Sequence, residues 1–528
     1  MVFHLSILLF HLITKLINLN IKPLKRLMKS NQLLTKLILL IAGFAGMIGF
    51  GLNWHMAIAA WLAPLFLLAF TRGTKFWGFL LFFLLAIVGG SISRTCFTMS
   101  GLLVEHVGNG IFFGISYSFP YLIDRLLYRK YSGLYTTLIY PAAAVFTEYL
   151  VSLFIGTWGS VAHTQYSILP LAQFISVTGI FALTFLISWF GAVVNWAFEN
   201  REHHTIIRKG LALYTIVFFI LFTYGDIWLS FFPPKSKTVK VAAITSDTDI
   251  LQVMKNESAA FQKFVENGNK EVPDRIFSNE QFIEHMLSRT RQAIAAGAKI
   301  IAWNEISLIL KSVQADSLID KLKSVALANN VYILPAFLEQ SSSSSEKPFN
   351  NKSVLIQPNG QIGWEYLKSA LQPTAEAPIV NHGDFQVPII DTEYGRIGNV
   401  ICYDMEFPRF IRQAGKQHVD IMLVPSFDWR GITPLHAEMA SFEAIQNGFS
   451  LLRPNGQGLS AAFDYQGRVI AQMNTLQTDS KIMFADLPVK SASTIYPIIS
   501  DLLVFLSVLY LFLMLGATVS KRRKKVNS

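Results

Sequence analysis

The sequence predicts a multi-pass α-helical membrane bundle, one α/β domain and a last membrane helix. Of its 528 residues, 52% are hydrophobic and 15% are charged, whereas average soluble chains carry about 25% charged residues. The apolar excess lies before residue 232 and after residue 496. Between these limits, short apolar strands alternate with helical patterns, which is typical of a layered α/β domain.

Long apolar segments define the membrane part, because a helix needs about 20 mostly apolar residues to cross a bilayer. Seven candidates precede the α/β domain and an eighth follows it, near 33–52, 54–71, 76–93, 109–127, 133–156, 169–197, 210–231 and 498–519. The status of the N-terminal segment 1–32 stays open, because residues 1–20 are apolar and Met28 is an alternative start. We therefore expect a bundle of seven helices at 33–232, a globular domain at 233–496, a transmembrane helix at 497–520 and a basic tail at 521–528.

Basic residues predict the orientation of the bundle, because cytoplasmic loops collect Lys and Arg. Every second connection is basic, while Arg94 is the clearest basic residue in the others. The pattern places both termini inside and residues 233–496 outside. The basic residues are Lys22, Lys25, Arg26 and Lys29; Arg72 and Lys75; Arg125, Arg129 and Lys130; Arg201, Arg208 and Lys209; and the tail 521–525.

The formal net charge of +11 has the same origin. We interpret it as a topology signal and expect no nucleic-acid partner. The two cysteines, Cys96 and Cys402, lie far apart and imply no disulfide framework. Cys402 in the globular domain is therefore available for chemistry.

Two features of the bundle carry polar groups that need an explanation. Glu148 lies inside the fifth apolar segment, and an intramembrane carboxylate is either functional or a structural hydrogen-bond acceptor. The outward connection 156–170 is rich in aromatic residues and contains Trp158. It shapes an opening for lipid, or it belongs to an interfacial aromatic belt.

Three polar residues of the α/β domain are candidates for catalysis. Cys402 follows an apolar strand and precedes a helix start, where backbone N–H groups favour a thiolate; alone it would equally suit the core. Glu305 closes the apolar strand 300–304, where desolvation would raise its pKa towards general-base use, unless the junction is exposed. Lys368 follows an extended segment, and a buried ammonium there would stabilise an oxyanion, whereas a solvated lysine would not.

The order of these residues carries more information than each one alone. Glu305, then Tyr366-x-Lys368, then Ile401-Cys402-Tyr403-Asp404, closely resembles the nitrilase (carbon–nitrogen hydrolase) superfamily over residues 239–487. A nitrilase-like domain with seven helices before it and one after it resembles the family of apolipoprotein N-acyltransferases. The resemblance also includes Gly395–Gly398, Phe407-Pro408, the helical residues His436, Glu443 and Asn447, and the connection Trp158–Gln173 with Thr178-Gly179 and Phe185-Leu186.

The resemblance implies an αββα sandwich with Glu305, Lys368 and Cys402 as catalytic residues. It also implies transfer of a fatty acyl chain from a membrane phospholipid to the N-terminal α-amine of the diacylglyceryl-cysteine of an apolipoprotein, through a cysteine thioester. No cofactor or metal is expected, and membrane lipids are the remaining partners. Substrate-binding or supporting roles fall to Glu376, Tyr403, Asp404 and Trp158, with Glu376 on a mobile flap at 370–378.

The implied location is a bacterial cytoplasmic (inner) membrane, with the catalytic domain on its outer, periplasmic face. Some features depart from the family pattern, and they bear on donor or acceptor preference more than on the chemistry. Asn304 replaces a proline, Asp404 replaces a glutamate, and the segments 426–431 and 245–250 are altered.

Two other functions stay open. One is a membrane-tethered nitrilase-type amidohydrolase that uses water as the acceptor, which Asp404 and the altered segments favour. The other is a non-catalytic binding or scaffold protein with a degenerate nitrilase domain. The intact set of Glu305, Lys368 and Cys402 argues against the second.

Overall fold

A computed structural model describes residues 32–52, 55–93, 103–247, 274–342 and 345–526. Several sequence expectations lie outside these residues: the N-terminal segment up to residue 31, Arg94, Cys96 and the altered positions 248–250. The side chains of the basic tail 521–528 are not described either.

The membrane part consists of helices near each expected segment. Among the described residues, five helices are long and apolar enough to cross a membrane, within Gln32–Gly51, Leu134–Ile155, Phe181–Glu199, His204–Phe231 and Leu502–Ser520. Small residues allow close packing between the helices; a side chain at Gly114, for example, would lie 2.6 Å from the backbone of Ile87. The helices before the α/β domain are α1 (Gln32–Leu52), α2 (Ala57–Gly73), α3 (Phe76–Ser93), α4 (Leu103–Leu127), α5 (Ile139–Ile155), α6 (Leu169–Ala172), α7 (Ile175–Thr178), α8 (Phe181–Glu199) and α9 (His204–Phe231).

The sixth predicted segment, 169–197, is not one helix. It contains α6 and α7, each four residues long, before α8 begins at Phe181. Pro170 occupies the start of α6, where proline is tolerated, and Gly179 ends α7 with a φ of +78°. Hydropathy stays high across these breaks, which is why the sequence pattern did not separate them.

The two ends of the bundle differ in chemistry. At one end, Arg72 donates two hydrogen bonds to Asp124 at 2.8 Å, with both side chains buried. Arg125 donates to the carbonyls of Thr71 and Thr74 at the same end. The opposite end carries the connection 156–165 and meets the α/β domain.

The α/β domain is built on two sheets. The first has the strand order β14-β1-β2-β4-β6-β5-β3, with β7 paired to β6, and the second has the order β13-β12-β11-β10-β9-β8. The first contains β1 (Thr238–Ile244), β2 (Ile300–Trp303), β3 (Ile309–Leu310), β4 (Tyr332–Leu334), β5 (Ala336–Gln340), β6 (Phe349–Ile356), β7 (Ile362–Leu367) and β14 (Ile482–Pro488). The second contains β8 (Ile389–Thr392), β9 (Gly395–Asn399), β10 (Ile421–Leu423), β11 (Ser450–Arg453), β12 (Leu459–Phe463) and β13 (Val469–Asn474).

The two sheets pack face to face, because alternate residues of β1 and β2 share one core with β9, β10 and β11. The other face of the first sheet packs against α10 (Glu280–Ala295) and α11 (Ser312–Asn329). Helices α12 (Pro408–Lys416) and α13 (Leu435–Asn447) cover the second sheet. The predicted combination of a membrane bundle with an αββα domain is confirmed.

The domain sits directly on the bundle. Phe442 and Ile445 of α13 belong to the same core as the membrane helices. Hydrogen bonds between side chains and backbone join the two parts as well, since Ile180 N donates to Gln446 Oε1 at 2.6 Å and Gln173 Nε2 donates to the Gln466 carbonyl at 3.0 Å. The chain then returns to the bundle through α14 (Tyr496–Ile499) and α15 (Leu502–Val526).

Candidate active site

Three strand ends bring the predicted catalytic residues together between the two sheets. Glu305 lies just beyond β2, Lys368 directly follows β7, and Cys402 begins a 3₁₀ turn, Cys402–Glu406, shortly after β9. Their exposed fractions are 1%, 3% and 5%. These three groups are therefore buried together at the same end of the sandwich.

Lys368 is the centre of a hydrogen-bonded cluster. Its Nζ donates to Glu305 Oε1 at 2.7 Å and to the two oxygens of Glu376 at 2.8 and 2.7 Å. Asn351 Nδ2 donates to the same two carboxylates, at 2.7 Å to Glu305 and 3.0 Å to Glu376. Cys402 lies close enough to Glu305 for each group to affect the pKa of the other.

Glu305 and Glu376 share the ammonium of Lys368 in this cluster, and this arrangement shifts the pKa values of Glu305 and Lys368. Burial raises the pKa of Glu305, and Glu376 adds to the increase, although Lys368 opposes it. Burial opposes the charge of Lys368, but Glu305 and Glu376 outweigh it and raise the pKa of that ammonium. Burial and the charge of Glu305 also raise the pKa of Cys402. These shifts favour the neutral form of the Cys402 thiol and increase the affinity of Glu305 for a proton.

The backbone at Cys402 is strained. Its φ is +49°, a left-handed conformation that costs a non-glycine residue about 1–3 kcal/mol and that is typical of functional sites. Cys402 N donates to the Pro425 carbonyl at 2.9 Å, and Sγ lies 3.7 Å from the Phe427 carbonyl. These contacts hold the sulfur at the tip of the turn.

Asp404, a buried residue of the same turn, stabilises it through hydrogen bonds. Its carboxylate accepts hydrogen bonds from the Tyr366 hydroxyl at 2.6 Å and from the backbone N–H groups of Ser369, Ala370 and Ile401 at 3.1, 2.6 and 3.0 Å. Burial raises its pKa to about 6, against these hydrogen bonds. Asp404 thus ties the Cys402 turn to the segment that follows Lys368.

We expect Asp404→Asn to destabilise the α/β domain. An amide replaces one acceptor oxygen with a donor, so at least one buried N–H group loses its partner, which costs about 1–3 kcal/mol. The midpoint of thermal unfolding should fall by about 2–8 °C. In Asp391→Asn, which removes an exposed carboxylate paired with Arg396, the midpoint should barely change. Equal midpoints for the two variants would contradict this role of Asp404.

A second buried polar cluster lies beside the sulfur. Arg453 donates to both oxygens of Asp428 at 3.0 and 2.9 Å, and Asn455 Nδ2 donates to the same carboxylate. His436 Nδ1 lies 2.6 Å from Asp428 Oδ1, and its Nε2 lies 3.2 Å from Glu406 Oε1. Burial opposes the charge on Asp428, but Arg453 and His436 lower the pKa of that carboxyl.

Ligand atoms of Cys402, Asp428 and His436 lie within 4.8 Å of one another. The donor types would suit a transition metal. However, the Arg453 guanidinium lies 2.9 Å from His436 Nδ1 and binds Asp428 through two nitrogens. The fixed positive charge of Arg453 already neutralises this carboxylate, so these residues do not fit a metal ion.

A cavity in the membrane bundle ends close to this cluster. Its volume is about 910 Å³, including the space at its mouth, and its lining is mainly apolar. Trp158 lines the cavity, and the centroid of its ring lies 5.1 Å from that of His436. Trp158 therefore contacts both the cavity and His436, and a ring nitrogen of His436 lies within 4.8 Å of the Cys402 sulfur. Other lining residues include Met47, Leu67, Phe82, Tyr121, Phe181 and Ile187.

The other residues predicted from the sequence lie around Cys402 and Lys368. Glu376 binds Lys368, and Asp404 accepts hydrogen bonds within the turn that carries Cys402. Trp158 packs on His436, which lies near Cys402. Tyr403 is half-buried at the edge of the site and packs against Phe407 with ring centroids 5.3 Å apart.

Sequence reasoning did not find Asn351, Asp428 or Arg453 as site residues. Asn351 and Ser353 are fully buried polar residues two positions apart on β6. That spacing places both side chains on one face of the strand. Two polar residues on one face of an otherwise apolar strand could have indicated a buried polar site. Asn304, where the family has proline, bridges two segments: its Oδ1 accepts from Ser246 N and its Nδ2 donates to the Glu305 carbonyl.

Two comparisons with families cover most of the chain. Residues 38–193 match the N-terminal domain of apolipoprotein N-acyltransferases, and residues 270–496 match the carbon-nitrogen hydrolase family. The first segment lies in the membrane bundle and the second in the α/β domain.

Individual relatives agree with these matches. The apolipoprotein N-acyltransferase of Haemophilus influenzae is 25% identical over 543 residues, covering 96% of this chain and 99% of that protein. The apolipoprotein N-acyltransferase of Geobacter metallireducens is 24% identical over 383 residues, covering 66% of this chain and 68% of that protein. Among solved structures, an amidase from Nesterenkonia sp. aligns with 48% of this chain and 92% of its own length, at 15% identity and a TM-score of 0.38. The chain is therefore similar to apolipoprotein N-acyltransferases in both of its parts, and it is an acyltransferase enzyme with a carbon–nitrogen hydrolase domain on membrane helices.

Proposed function

We propose that this chain transfers a fatty acyl chain from a membrane phospholipid to the α-amine of the diacylglyceryl-cysteine at the N-terminus of apolipoproteins. Cys402 is the nucleophile, Glu305 the general base and Lys368 the stabiliser of the oxyanion. One observation carries the proposal: the buried cluster of these three residues is connected, through His436 and Trp158, to a mainly apolar cavity inside the membrane bundle.

The cavity explains why a hydrolase-like domain would need a membrane bundle. Moving an acyl chain from lipid into water costs about 0.8 kcal/mol per CH₂ group. A chain that occupies the cavity avoids this cost while its ester carbonyl reaches the sulfur. Trp158 and the neighbouring His436 would mark the boundary between the acyl chain and the polar reacting atoms.

In the first half-reaction, Glu305 accepts the thiol proton as Cys402 Sγ bonds to the ester carbonyl carbon. Lys368, together with backbone N–H groups near Tyr403, stabilises the oxyanion. The C–O bond then breaks, the leaving alkoxide takes the proton from Glu305, and a lysophospholipid departs. The acyl chain stays on Cys402 as a thioester.

In the second half-reaction, the free α-amine of the acceptor attacks the thioester carbonyl. Glu305 accepts a proton from the amine, the C–S bond breaks, and the sulfur takes up that proton. An amide and a free thiol result. Since one site serves both steps in turn, the kinetics are ping-pong.

The flap residue Glu376 has a defined role in this scheme. It accepts two hydrogen bonds from Lys368 and one from Gln372 N at 2.9 Å, while its neighbours Leu371 and Ile379 are buried. In this closed arrangement, Glu376 competes for the ammonium that the oxyanion needs. Movement of the segment 370–378 would free Lys368 when substrate binds.

The orientation of the chain supports a reaction at the outer face of the membrane. The basic end of the bundle, with Arg72 and Arg125, lies opposite the α/β domain. Cytoplasmic ends collect Lys and Arg, so the α/β domain belongs on the periplasmic side. Both substrates present acyl chains in the membrane there.

The alternative of an amidohydrolase that uses water loses one of its two supports, which were Asp404 and the altered segments. The carboxylate of Asp404 is fully buried and accepts hydrogen bonds from four donors within the domain. A structural role as a hydrogen-bond acceptor explains an acidic residue at position 404 in an acyltransferase and in an amidohydrolase alike.

The test is complementation of a bacterium depleted of its own N-acyltransferase. We expect the wild-type chain to restore growth and to add one amide-linked acyl chain to lipoprotein N-termini, as measured by mass spectrometry. The Cys402→Ala variant, produced at the same level in the membrane, is the control and should leave these N-termini unmodified. Release of free fatty acid with unmodified N-termini would instead favour the hydrolase.

A further inference from the structure

Glu148 lies in the membrane-spanning helix α5 and binds a loop outside that helix. Its Oε2 accepts from Ser160 Oγ at 2.8 Å and from Thr184 Oγ1 at 2.6 Å, and its Oε1 accepts from Val161 N at 3.0 Å. We call residues 156–161 the clasp loop. The carboxylate thus fastens the far end of the clasp loop to α5 and α8.

The first residues of the clasp loop, Gly156 and Thr157, contact the turn that carries Cys402. Thr157 N donates to the Glu406 carbonyl at 2.8 Å, and Thr157 Oγ1 donates to Glu406 Oε2 at 3.2 Å. Gly156 has a φ of +64°, and a Cβ there would lie 2.5 Å from the Glu406 carbonyl oxygen. This contact is too close for a side chain, so the loop fits the turn only with glycine at position 156.

A second set of contacts runs from the same loop to the sulfur. Trp158 packs on His436, and His436 lies between Glu406 and Asp428. Asp428 follows Phe427, whose carbonyl lies 3.7 Å from Cys402 Sγ. The clasp loop therefore reaches both sides of the nucleophile, once through the turn and once through His436.

We propose that Glu148 is a positioning residue for Cys402: it fixes the clasp loop, and the clasp loop holds the turn Cys402–Glu406 in its strained conformation beside Glu305. A carboxylate inside the membrane would thereby order a nucleophile outside it. The inference rests on the proposed nucleophilic role of Cys402, but not on the identity of the acyl donor or acceptor.

The test separates positioning from a merely structural role. In purified full-length Glu148→Ala, the turn should loosen and Cys402 should become less buried. We expect acyl-enzyme formation in a single turnover at saturating phospholipid to slow at least about tenfold. Because burial is what mainly raises the pKa of Cys402, its alkylation by iodoacetamide should shift to lower pH, as followed by mass spectrometry of the Cys402 peptide.

Asn195→Ala is the matched control, because Asn195 is a buried polar residue of α8 that bonds to the Leu65 and Gly191 carbonyls, away from the clasp loop. It should leave the pH profile of Cys402 alkylation unchanged. Gly156→Ala acts at the other end of the loop and should reproduce both effects of Glu148→Ala, which keeps the test decisive if Glu148→Ala does not fold.

Two results would overturn the proposal: full acylation activity in folded Glu148→Ala and Gly156→Ala, or slower acylation with an unchanged alkylation profile. Alkylation needs no lipid substrate. A shifted profile in a chain whose wild type transfers no acyl group would therefore support the positioning role and reject the proposed function.

Discussion

Cys402→Ala is expected to lose the acyl-enzyme completely and to slow acyl transfer by about 10⁴-fold or more, as for removal of a catalytic nucleophile. Among the described residues, the groups that donate to Glu305 Oε1 are the Lys368 ammonium and the Asn351 amide, and neither is a nucleophile in that form. The measurement is the intact mass of the purified protein after incubation with a phospholipid of one acyl composition. The wild type should gain the mass of one acyl group, and hydroxylamine should remove it.

Cys402→Ser sharpens this prediction. A serine hydroxyl is a far weaker acid than a thiol, so Glu305 would not activate it efficiently, and any adduct would be an oxygen ester that resists mild hydroxylamine. Cys96→Ala is the matched control, because Cys96 is the other cysteine of the sequence, and it should acylate normally. A hydroxylamine-sensitive adduct on Cys402→Ala would contradict the assignment of the nucleophile.

The approximate place of the catalytic residues could be predicted because of where they stand on their strands. Glu305 and Cys402 both follow short, buried apolar segments, and their order along the chain with Lys368 distinguished them from structural residues. Their roles remain predictions, but their meeting within one buried cluster follows from strand ends that converge between two sheets. Lys368 was harder to find, since only its family context distinguished it from a solvated lysine.

Several other contacts around the site could not be predicted, because the two residues that make each contact lie far apart along the chain. Asp428 and Arg453 are 25 positions apart and meet only once β10 and β11 pair. Thr157 and Glu406 are separated by 249 positions and belong to different parts of the molecule. Local sequence patterns carry no information on such contacts.

Glu148 shows a different limit. The sequence identified it as unusual but left a functional and a structural explanation equally open. The structure shows that its three donors belong to a loop at the active site and to α8. An intramembrane carboxylate is therefore connected, through the clasp loop, to the turn that carries Cys402.

Glu305→Gln is expected to slow acyl-enzyme formation by about 10²- to 10⁴-fold, the usual contribution of a general base. The amide keeps the shape of the side chain and can still accept a hydrogen bond from Lys368, but it cannot take the thiol proton. Glu376→Gln is the matched control. Glu376 binds the same ammonium, but in the proposed mechanism it takes no proton from Cys402. It should reduce the rate much less than Glu305→Gln.

The role of Glu305 as a base also predicts how the acylation rate changes with pH. Only the ionised form of Glu305 accepts a proton, and its pKa is raised. The wild-type acylation rate should therefore begin to fall at a pH above the ordinary glutamate value of about 4.3 as the solution is acidified. Glu305→Gln should lack this acidic limb, while Glu376→Gln should keep it.

Alkylation of Cys402 should respond in the opposite direction to catalysis. After burial, the charge of Glu305 is the largest contribution that raises the pKa of the thiol. Removing that charge in Glu305→Gln should move the alkylation midpoint to lower pH, so the thiol becomes more reactive towards iodoacetamide while acylation slows. If both rates fell together, Glu305 would act by holding Cys402 in place and not as its base, and the proposed proton transfer would have to be abandoned.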